Sequence, residues 1–256
     1  FTTGPVFRHE RPQKGRYRYF HQWNIEIFGK PSIESEAEVI EFASRLFHSI
    51  NLKNIEIQIN HRKIVESFIR NNYPYFDPKQ QDKVFGDSFR LVDKVAKKSR
   101  EELLKEYEHM PQEFVQKLLD FASIQGTPDE IESKTNASVL ESWDYLVQLW
   151  NSLENRSVKN IKINFGIVRG LDYYSGIVFE VFDTQSKLGA LAGGGRYDAL
   201  TKAFGREDIG ATGVAGGVER MILTMDEQGI SSNSEQQKIS ILYINEETQK
   251  PAMKIA

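Results

Sequence analysis

The hydrophobic periodicity of this chain changes twice along its length. In the first 61 residues and again from residue 161, apolar and polar residues alternate as they do in a half-buried strand. Between these flanks, apolar residues recur at helical spacing in a stretch rich in Lys, Glu, Leu and Phe. The pattern predicts an α+β fold in which a mainly helical insertion, residues 62–158, separates two strand-forming parts.

The first part begins with a predicted β-hairpin. Residues 5–10 and 19–28 are predicted as its strands, because Pro12 and Gly15 favour a turn in the polar stretch between them. The connection is long and rich in cations.

A helix is predicted directly after the hairpin. Val39, Ile40 and Ala43 begin an apolar stripe at helical spacing, which indicates a helix over about 35–50 that is capped by Ser35. Further strands are predicted at 55–59, 161–168, 176–183, within the glycine clusters 189–198 and 210–220, and at 239–244, followed by a helix start near Pro251.

Composition limits the chemistry that the chain can carry. The 256 residues include no cysteine, which excludes disulfide scaffolds, zinc–thiolate sites and thiol nucleophiles. His9 and His21 have no histidine or carboxylate partner at ligand spacing, so no metal site is assigned. The net charge of -3 argues against general coating of nucleic acid, although a local basic site remains compatible with it. Without a long apolar run or a charged leader, a cytoplasmic protein with no membrane partner is expected.

Cations and directional polar groups converge on the predicted hairpin. Gln22, Asn24 and Glu26 share one face of the return strand, where three polar side chains need a polar partner, water or a ligand. Arginine binds phosphate through a planar fork, so the loop suits a nucleotide triphosphate and nucleotidyl transfer. A solvated hairpin is the alternative, because cations are common in turns. The cations are Arg8, Arg11, Lys14, Arg16 and Arg18.

Several later residues have plain structural explanations when each is taken alone. Tyr173 and Tyr174 are then most simply core aromatics, and Arg169 a surface residue. The cluster at 193–195 does not form the phosphate-binding G-x-G-x-x-G pattern between a strand and a helix. Lysine runs in the insertion are expected to be solvated helix faces, so no site is assigned there.

Four segments have distinctive sequences, and they occur in one order. Residues 4–26 read GPVFRHERPQKGRYRYFHQWNIE, residues 168–176 read VRGLDYYSG, residues 193–198 read GGGRYD, and residues 213–220 read GVAGGVER. The first closely resembles the second motif of class II aminoacyl-tRNA synthetases in its histidyl form. The next two resemble the histidine-specific and glycine-rich segments of histidyl-tRNA synthetases, and the last resembles the third class II motif.

The resemblance implies a set of ATP-binding residues. Arg8 would contact the α-phosphate of ATP and then the adenylate, while Arg220 would hold the triphosphate tail from the opposite side. Arg16 of the hairpin would also bind ATP. Arg169 would act with Arg8 as a catalytic residue, beside the reacting carboxylate and the α-phosphate. ATP is implied as a substrate, accompanied by Mg²⁺.

The resemblance also implies residues that bind L-histidine. Gln22 would bind the polar backbone groups of the amino acid. Glu26 and Tyr174 would recognise the imidazole, and Tyr173 would line the same pocket. The pocket would be completed by Arg169, Gly194, Gly195 and Tyr197.

The family fold is a mainly antiparallel β-sheet flanked by helices, with a helical insertion and a following α/β anticodon-binding domain. The implied partners are L-histidine, ATP and tRNA(His), and the full-length protein would be a homodimer. The expected domains are 1–61 and 159–227 for the catalytic domain, 62–158 for the insertion, 228–237 for a linker and 238–256 for the start of the anticodon-binding domain.

The chain departs from the family pattern in ways that bear on activity. The family's first motif and a threonine-containing loop would lie upstream of Phe1, and the anticodon-binding domain is expected to be represented by its opening. This piece alone is therefore expected to be impaired in dimerisation, amino-acid binding and tRNA selection. Asn24 stands where many relatives have glycine, which leaves the local backbone of the pocket open.

A function of another class also fits the resemblance. A regulatory subunit of ATP phosphoribosyltransferase is a paralogue that keeps the fold, binds histidine as a signal and performs no aminoacylation. A non-catalytic RNA-binding module on the same fold is a third possibility, which would predict loss of the nucleotide-binding arginines. The synthetase is favoured by the presence of Arg8, Gln22, Glu26, Arg169, Tyr174 and Arg220.

Overall fold

Both flanks of the chain contribute to one eight-stranded sheet in the described part of the protein. The computed structural model describes residues 1–9, 11–74, 79, 81–169, 173–230, 242 and 244–255. The strands are β1 (Thr2–Phe7), β2 (Tyr19–Gly29), β3 (Ile55–His61), β4 (Gln125–Gly126), β5 (Ile161–Asn164), β6 (Ile177–Asp183), β7 (Ala192–Arg196) and β8 (Gly210–Gly217). Their order is β1-β2-β8-β7-β6-β3-β5-β4, in which β3 and β5 run parallel and the other neighbours run antiparallel.

Helices flank the sheet and fill most of the central stretch of the chain. Among the described residues, no helix is long and apolar enough to cross a membrane. The helices are α1 (Ile33–Ser49), α2 (Arg62–Asn72), α3 (Gln81–Val92), α4 (Arg100–Glu106), α5 (Gln112–Ala122), α6 (Pro128–Lys134), α7 (Trp143–Asn155), α8 (Asp198–Ala203), α9 (Val218–Glu227) and α10 (Glu246–Ile255).

One face of the sheet packs against α1 and forms the centre of the core. Strand residues that lie directly opposite each other share a face, so the register places Ile57, Phe179 and Val214 together on this side. Helix α1 contributes Ile40 and Phe47, and all five side chains are buried. Removing this apolar surface from water holds the helix against the sheet.

The predicted α+β fold with a mainly antiparallel sheet is confirmed, but the start of α1 needs a correction. The helix begins at Ile33 and its N-cap is Ser32, not Ser35. The Ser32 hydroxyl accepts a hydrogen bond from the backbone N–H of Ser35 at 3.2 Å. The first orphan amides of a helix attract such a side chain, and Ser32 lies one turn earlier than the predicted cap.

The predicted strand at 161–168 is too long. Strand β5 ends at Asn164, whose side-chain oxygen accepts a hydrogen bond from the N–H of Gly166 at 2.8 Å. This local bond replaces a ladder bond and turns the chain out of the sheet.

The helix start near Pro251 is also wrong. Helix α10 begins at Glu246, and Pro251 lies inside it. The side chain of Asn245 accepts from the N–H of Thr248 at 3.0 Å, which satisfies an amide at the helix start. The predicted strand at 239–244 lies largely outside the described residues.

The stretch 62–158 is mainly helical, and it is also tied to the flanks. Strand β4 joins the sheet edge beside β5. The Tyr145 hydroxyl of α7 donates to the carboxylate of Glu36 on α1 at 2.8 Å, and Arg156 donates to Glu41 at 2.8 Å. The boundaries of a separate insertion domain therefore stay a prediction.

Replacing a core isoleucine should destabilise the fold measurably. We expect Ile57→Ala to lower the free energy of unfolding by about 2–5 kcal/mol, because Ile57 is fully buried and the change leaves a cavity. Urea denaturation would measure the loss. In Ile222→Ala, which alters a side chain that is 50% exposed, the loss should stay below about 1 kcal/mol. Equal losses in the two variants would contradict this description of the core.

Candidate active site

The sheet face opposite α1 is almost bare of side chains at its centre. On β7 and β8 the positions that point to this face are Gly193, Gly195, Gly213, Ala215 and Gly217, as the register with neighbouring strands places them. We call these five residues the glycine floor. With one methyl group among them, a ligand or a long side chain can approach the backbone closely.

Three of the predicted site side chains lie directly on the glycine floor. A Cβ on Gly193 would overlap the Arg169 guanidinium, and a Cβ on Gly213 would overlap the Glu26 carboxylate. A Cβ on Gly195 would come within 3.0 Å of the Tyr174 ring, and the φ of +156° at this position also disfavours a side chain. The floor therefore sets how close a cation, a carboxylate and a phenol can lie to one another.

A cleft of about 930 Å³ opens above the floor. The hairpin forms one wall, the segment 187–193 forms another, and the turns that follow α3 contribute Asp93 and Lys97. The predicted site residues that line it are Arg8, Arg16, Gln22, Arg169 and Arg220.

Glu26 and Tyr197 form a hydrogen-bonded pair at one end of the floor. The Tyr197 hydroxyl donates to the Glu26 carboxylate. Burial raises the pKa of Glu26, while hydrogen bonds from Tyr197 and Asn24 oppose that rise. Burial likewise raises the pKa of Tyr197 and of Tyr174, so both phenols stay neutral donors at physiological pH.

Tyr173 and Tyr174 extend this end of the site. The two rings lie 4.4 Å apart between centroids, and each lies edge-on to the Tyr197 ring, at 6.2 Å and 6.5 Å. Tyr174 is buried and Tyr173 is partly exposed. The two tyrosines therefore differ, because Tyr174 packs on the floor and Tyr173 lies nearer solvent. The residues between Arg169 and Tyr173 lie outside the described part.

Arg8 and Gln22 are held together beside the opposite end of the floor. The Nη2 of Arg8 donates to Oε1 of Gln22 at 3.1 Å, and its guanidinium stacks over the Phe20 ring at 4.9 Å from the centroid. Gln22 lies opposite Gly217 in the register. Both contacts orient the Arg8 fork over the cleft, where it can receive an anion.

Arg169 occupies the middle of the cleft in an unusual backbone conformation. Its φ is +36°, a left-handed value that residues with a side chain rarely adopt. Its Nη1 donates to Oε1 of Glu180 at 3.2 Å. Burial raises the pKa of Glu180, although the Arg169 charge opposes the rise. A strained backbone that brings a cation onto a partly buried carboxylate is typical of a functional site.

Arg220 joins the hairpin tip to the start of α9. Its Nε donates to the carbonyl of Gly15 at 3.1 Å, and its Nη1 donates to the carbonyl of Ala190. Gly15 has a φ of +72°, which the tight hairpin turn requires. Lys14 adds an ion pair with Glu227 of α9 at 2.6 Å. These contacts hold the guanidinium of Arg220 in the wall of the cleft that Arg8 also lines.

Gly194 and His21 lie in surroundings that the sequence did not predict. Gly194 lies in register with Phe179 and Val214, so it faces α1, and only its backbone can contribute to a pocket wall. His21 has a partner that the sequence did not reveal, because its Nδ1 lies 3.0 Å from Glu219 of α9. In the part of the chain that the structure describes, no group of three or more His, Asp or Glu side chains could hold a metal ion.

Sequence reasoning missed Glu180. The signal was present, since a carboxylate at the centre of the apolar strand IVFEVFD is unusual unless it is paired or functional. Its partner Arg169 is eleven residues away in the sequence and lies outside the strands, so the pairing could not be inferred from spacing.

The architecture and the site together define a class II aminoacyl-tRNA synthetase: a mainly antiparallel sheet, a basic hairpin, and a strand leading into a helix that begins near an arginine. A solved histidyl-tRNA synthetase from Nostoc sp. PCC 7120 has the same fold, with a TM-score of 0.78 and 24% identity, over 99% of this chain and 60% of that one. The family model for histidyl-tRNA synthetase matches residues 1–221, and the chain belongs to that family.

Curated relatives agree with this assignment. The histidine–tRNA ligase of Aeropyrum pernix is 32% identical over 91% of this chain and 53% of the relative. That of Thermococcus kodakarensis is 34% identical over 88% of this chain and 52% of the relative. The chain thus spans about half the length of the curated relatives it matches. A structure from Bacillus halodurans C, titled ATP phosphoribosyltransferase regulatory subunit/histidyl-tRNA synthetase, has a TM-score of 0.67 at 20% identity.

The raised pKa of Glu180 predicts a pH-dependent effect of Glu180→Gln on stability. Because burial holds the pKa of Glu180 in the folded protein above its ordinary value of 4.5, wild-type stability falls as pH rises above that value and Glu180 ionises. Glu180→Gln has no carboxylate at this position, so its stability does not fall in this way as pH rises. Its free energy of unfolding relative to wild type should therefore be higher at about pH 8 than at about pH 5 in denaturant titrations.

Glu113→Gln is the matched control. Glu113 pairs with Lys117 on the exposed face of α5, and this ion pair lowers its pKa. Its contribution is therefore complete at both pH values, and the difference between this variant and wild type should not change. A flat difference for Glu180→Gln would contradict the raised pKa.

Proposed function

We propose that this chain is the catalytic core of an enzyme that activates L-histidine with ATP and transfers the histidyl group to tRNA(His). The observation that carries the proposal is the content of one sheet face. A half-buried carboxylate with phenols, suited to an imidazole, lies on the same glycine floor as Arg169, and the cleft above this floor is lined by arginines suited to phosphates.

The Glu26 end of the glycine floor suits the imidazole. Ionised Glu26 can accept a hydrogen bond from a ring N–H, and the neutral phenols of Tyr197 and Tyr174 can donate to or accept from the other nitrogen. Because Tyr174 is buried and Glu26 and Tyr197 are half-buried, an amino acid without a ring N–H would leave these polar groups poorly paired. Such a site rejects analogues by roughly 10⁴-fold or more, so selection of histidine would need no editing step.

The arginines suit the activation step. When the histidine carboxylate attacks the α-phosphate, two anions meet, and the new bond forms as the bond to pyrophosphate breaks. Arg169 and Arg8 would lie beside the reacting groups, and Arg220 would hold the departing pyrophosphate. Positioned guanidinium groups lower the barrier by stabilising the developing charge, so no protein nucleophile is required.

Gln22 and the Arg169–Glu180 pair would organise the site before the substrates arrive. Gln22 would bind the polar backbone groups of histidine, with its side-chain oxygen held by Arg8 at 3.1 Å. Glu180 keeps the Arg169 guanidinium over Gly193. The substrate carboxylate and the α-phosphate would then meet a cation that is already placed, which avoids reorganisation during the reaction.

Mg²⁺ is proposed to enter with ATP. When bound, it neutralises phosphate charge, and it would take most of its ligands from phosphate oxygens and water. The described cleft carboxylates support this view because each has a basic neighbour: Glu180 has Arg169, Asp93 has Lys97 and Glu219 has His21.

Recognition of tRNA(His) and the homodimer are proposed for the full-length protein, because this chain spans about half the length of its relatives. A cytoplasmic location stays a prediction, as do the domain boundaries.

A histidine-binding regulatory role is the second candidate. It is favoured by the fold likeness to the Bacillus halodurans structure whose title includes a regulatory subunit. The cleft argues for catalysis, because a sensor of histidine needs the Glu26 end and has no use for Arg8 and Arg220 around a triphosphate.

The experiment that tests the proposal is ATP–pyrophosphate exchange by the full-length protein. We expect exchange that depends on histidine and is absent with the other amino acids. Histidine binding without exchange would overturn the enzymatic proposal and favour the regulatory role.

Arg169→Ala should nearly abolish that exchange. Losing one group that stabilises the developing charge should lower the rate by about 10²-fold or more, with little change in thermal unfolding. Arg45→Ala is the control, since Arg45 lies on α1 outside the cleft with a side chain that is 77% exposed. Unchanged exchange by Arg169→Ala would exclude Arg169 from catalysis.

A further inference from the structure

A buried ion pair lies on the α1 face of the sheet, behind the Glu26 end of the glycine floor. Arg196 is the last residue of β7, between the floor residue Gly195 and the Glu26 partner Tyr197. Because side chains alternate across a strand, the side chain of Arg196 enters the opposite face and meets Glu36 of α1. Arg196 is 6% exposed and Glu36 is 0% exposed.

The guanidinium of Arg196 makes several contacts at once. Besides the Nε bond to the Glu36 carboxylate, Nη2 donates to the backbone carbonyl of Ser32 at 3.2 Å, and Nη1 donates to Asp198 at 3.3 Å. Glu36 also accepts from the Tyr145 hydroxyl of α7. The fork thus connects the end of β7 to both α1 and α7.

The same network fixes the backbone on both sides of Tyr197. The carbonyl of Arg196 accepts from the N–H of Ser175 at 2.8 Å, and the Ser175 hydroxyl accepts from the N–H of Asp198 at 3.0 Å. The Asp198 carboxylate accepts from the N–H of Ala211 at 2.9 Å. The residues on either side of Tyr197 are therefore both fixed by hydrogen bonds. The Tyr197 hydroxyl donates to the Glu26 carboxylate.

Burying an ion pair between two elements costs free energy, because both charges lose their hydration. Desolvating two charges can cancel their attraction, so apolar residues of similar size would stabilise the fold as well or better. What an apolar pair cannot supply is the direction of several hydrogen bonds from one rigid fork. The arrangement therefore suits positioning more than stability.

We infer that Arg196 and Glu36 are positioning residues for histidine recognition, which hold Tyr197, and through it Glu26, in the geometry that the imidazole requires. The inference rests on the proposed function, and it concerns the amino-acid end of the glycine floor alone. The proposed ATP end is built from Arg8, Arg220 and the hairpin, and the hydrogen bonds of Arg8 to Gln22 and of Arg220 to backbone carbonyls do not involve this pair.

The test is Arg196→Lys in the full-length protein, assayed by ATP–pyrophosphate exchange. Lysine keeps the charge but cannot reach Glu36, Ser32 and Asp198 together. We expect the KM for histidine to rise about tenfold, as when one charge-assisted hydrogen bond is lost, while the KM for ATP stays within about twofold.

Arg62→Lys is the matched control. Arg62 forms a partly buried ion pair with Glu66 at 2.8 Å on α2, away from the cleft, so this variant should leave both KM values unchanged. If Arg196→Lys does not fold, Glu36→Gln takes its place, because the amide keeps the shape and an acceptor oxygen. The same split between the two KM values is expected.

The outcomes separate this inference from the proposed function. A loss of kcat with both KM values unchanged would mean that the network affects only the amount of folded enzyme, and the inference would fail. Equal rises in the two KM values would also overturn it. No histidine-dependent exchange by the unaltered protein would instead refute the proposed function.

Discussion

The close approach of side chains to bare backbone is the constraint on which the site depends. Arg169 lies over Gly193, Tyr174 over Gly195 and Glu26 over Gly213. In each case a Cβ would occupy or crowd the space that the functional group fills. The distance between Arg169 and the proposed imidazole pocket is therefore set by the spacing of β7 and β8. This spacing is rigid because both strands are paired on both sides.

The charges over this floor are arranged before any substrate binds. Arg8 is oriented by Gln22, Arg169 by Glu180, and Arg220 by two backbone carbonyls. Each cation thus has an acceptor that holds its direction. Anions that bring stronger charge can take over these donors, which is the kind of preorganisation that lowers barriers for reactions between anions.

The two faces of the sheet are connected through a single strand. On one face β7 presents Gly193 and Gly195 to the cleft, and on the other it presents Arg196 to α1. The strand that shapes the pocket is therefore anchored in the core, and helix α7 of the central helical stretch reaches the same anchor through Tyr145. This path is short, passes through named hydrogen bonds and ends at the proposed imidazole pocket.

Much of the secondary structure could be predicted from local patterns. Strand β3 was predicted correctly from the alternation at Ile55, Ile57 and Ile59, and helix α1 from the apolar stripe after Ser35. Both predictions succeed because the side-chain period follows directly from backbone geometry. Exact ends were less certain, since the cap at Ser32 and the turn at Asn164 depend on single side-chain hydrogen bonds. The motifs pointed to the right family and to five side chains that line the cleft, those of Arg8, Arg16, Gln22, Arg169 and Arg220.

The sequence by itself determined the class of the fold, the order of its strands along the chain and the identity of the charged residues available for a site. The tertiary structure decided which of them meet. Glu26 lies over Gly213 and pairs with Tyr197, Glu180 holds Arg169, and Arg196 finds Glu36. These partners are separated by eleven to nearly two hundred residues, and their meeting depends on strand register and helix docking. Such long-range pairing is set by the packing of the whole sheet, which no local pattern contains.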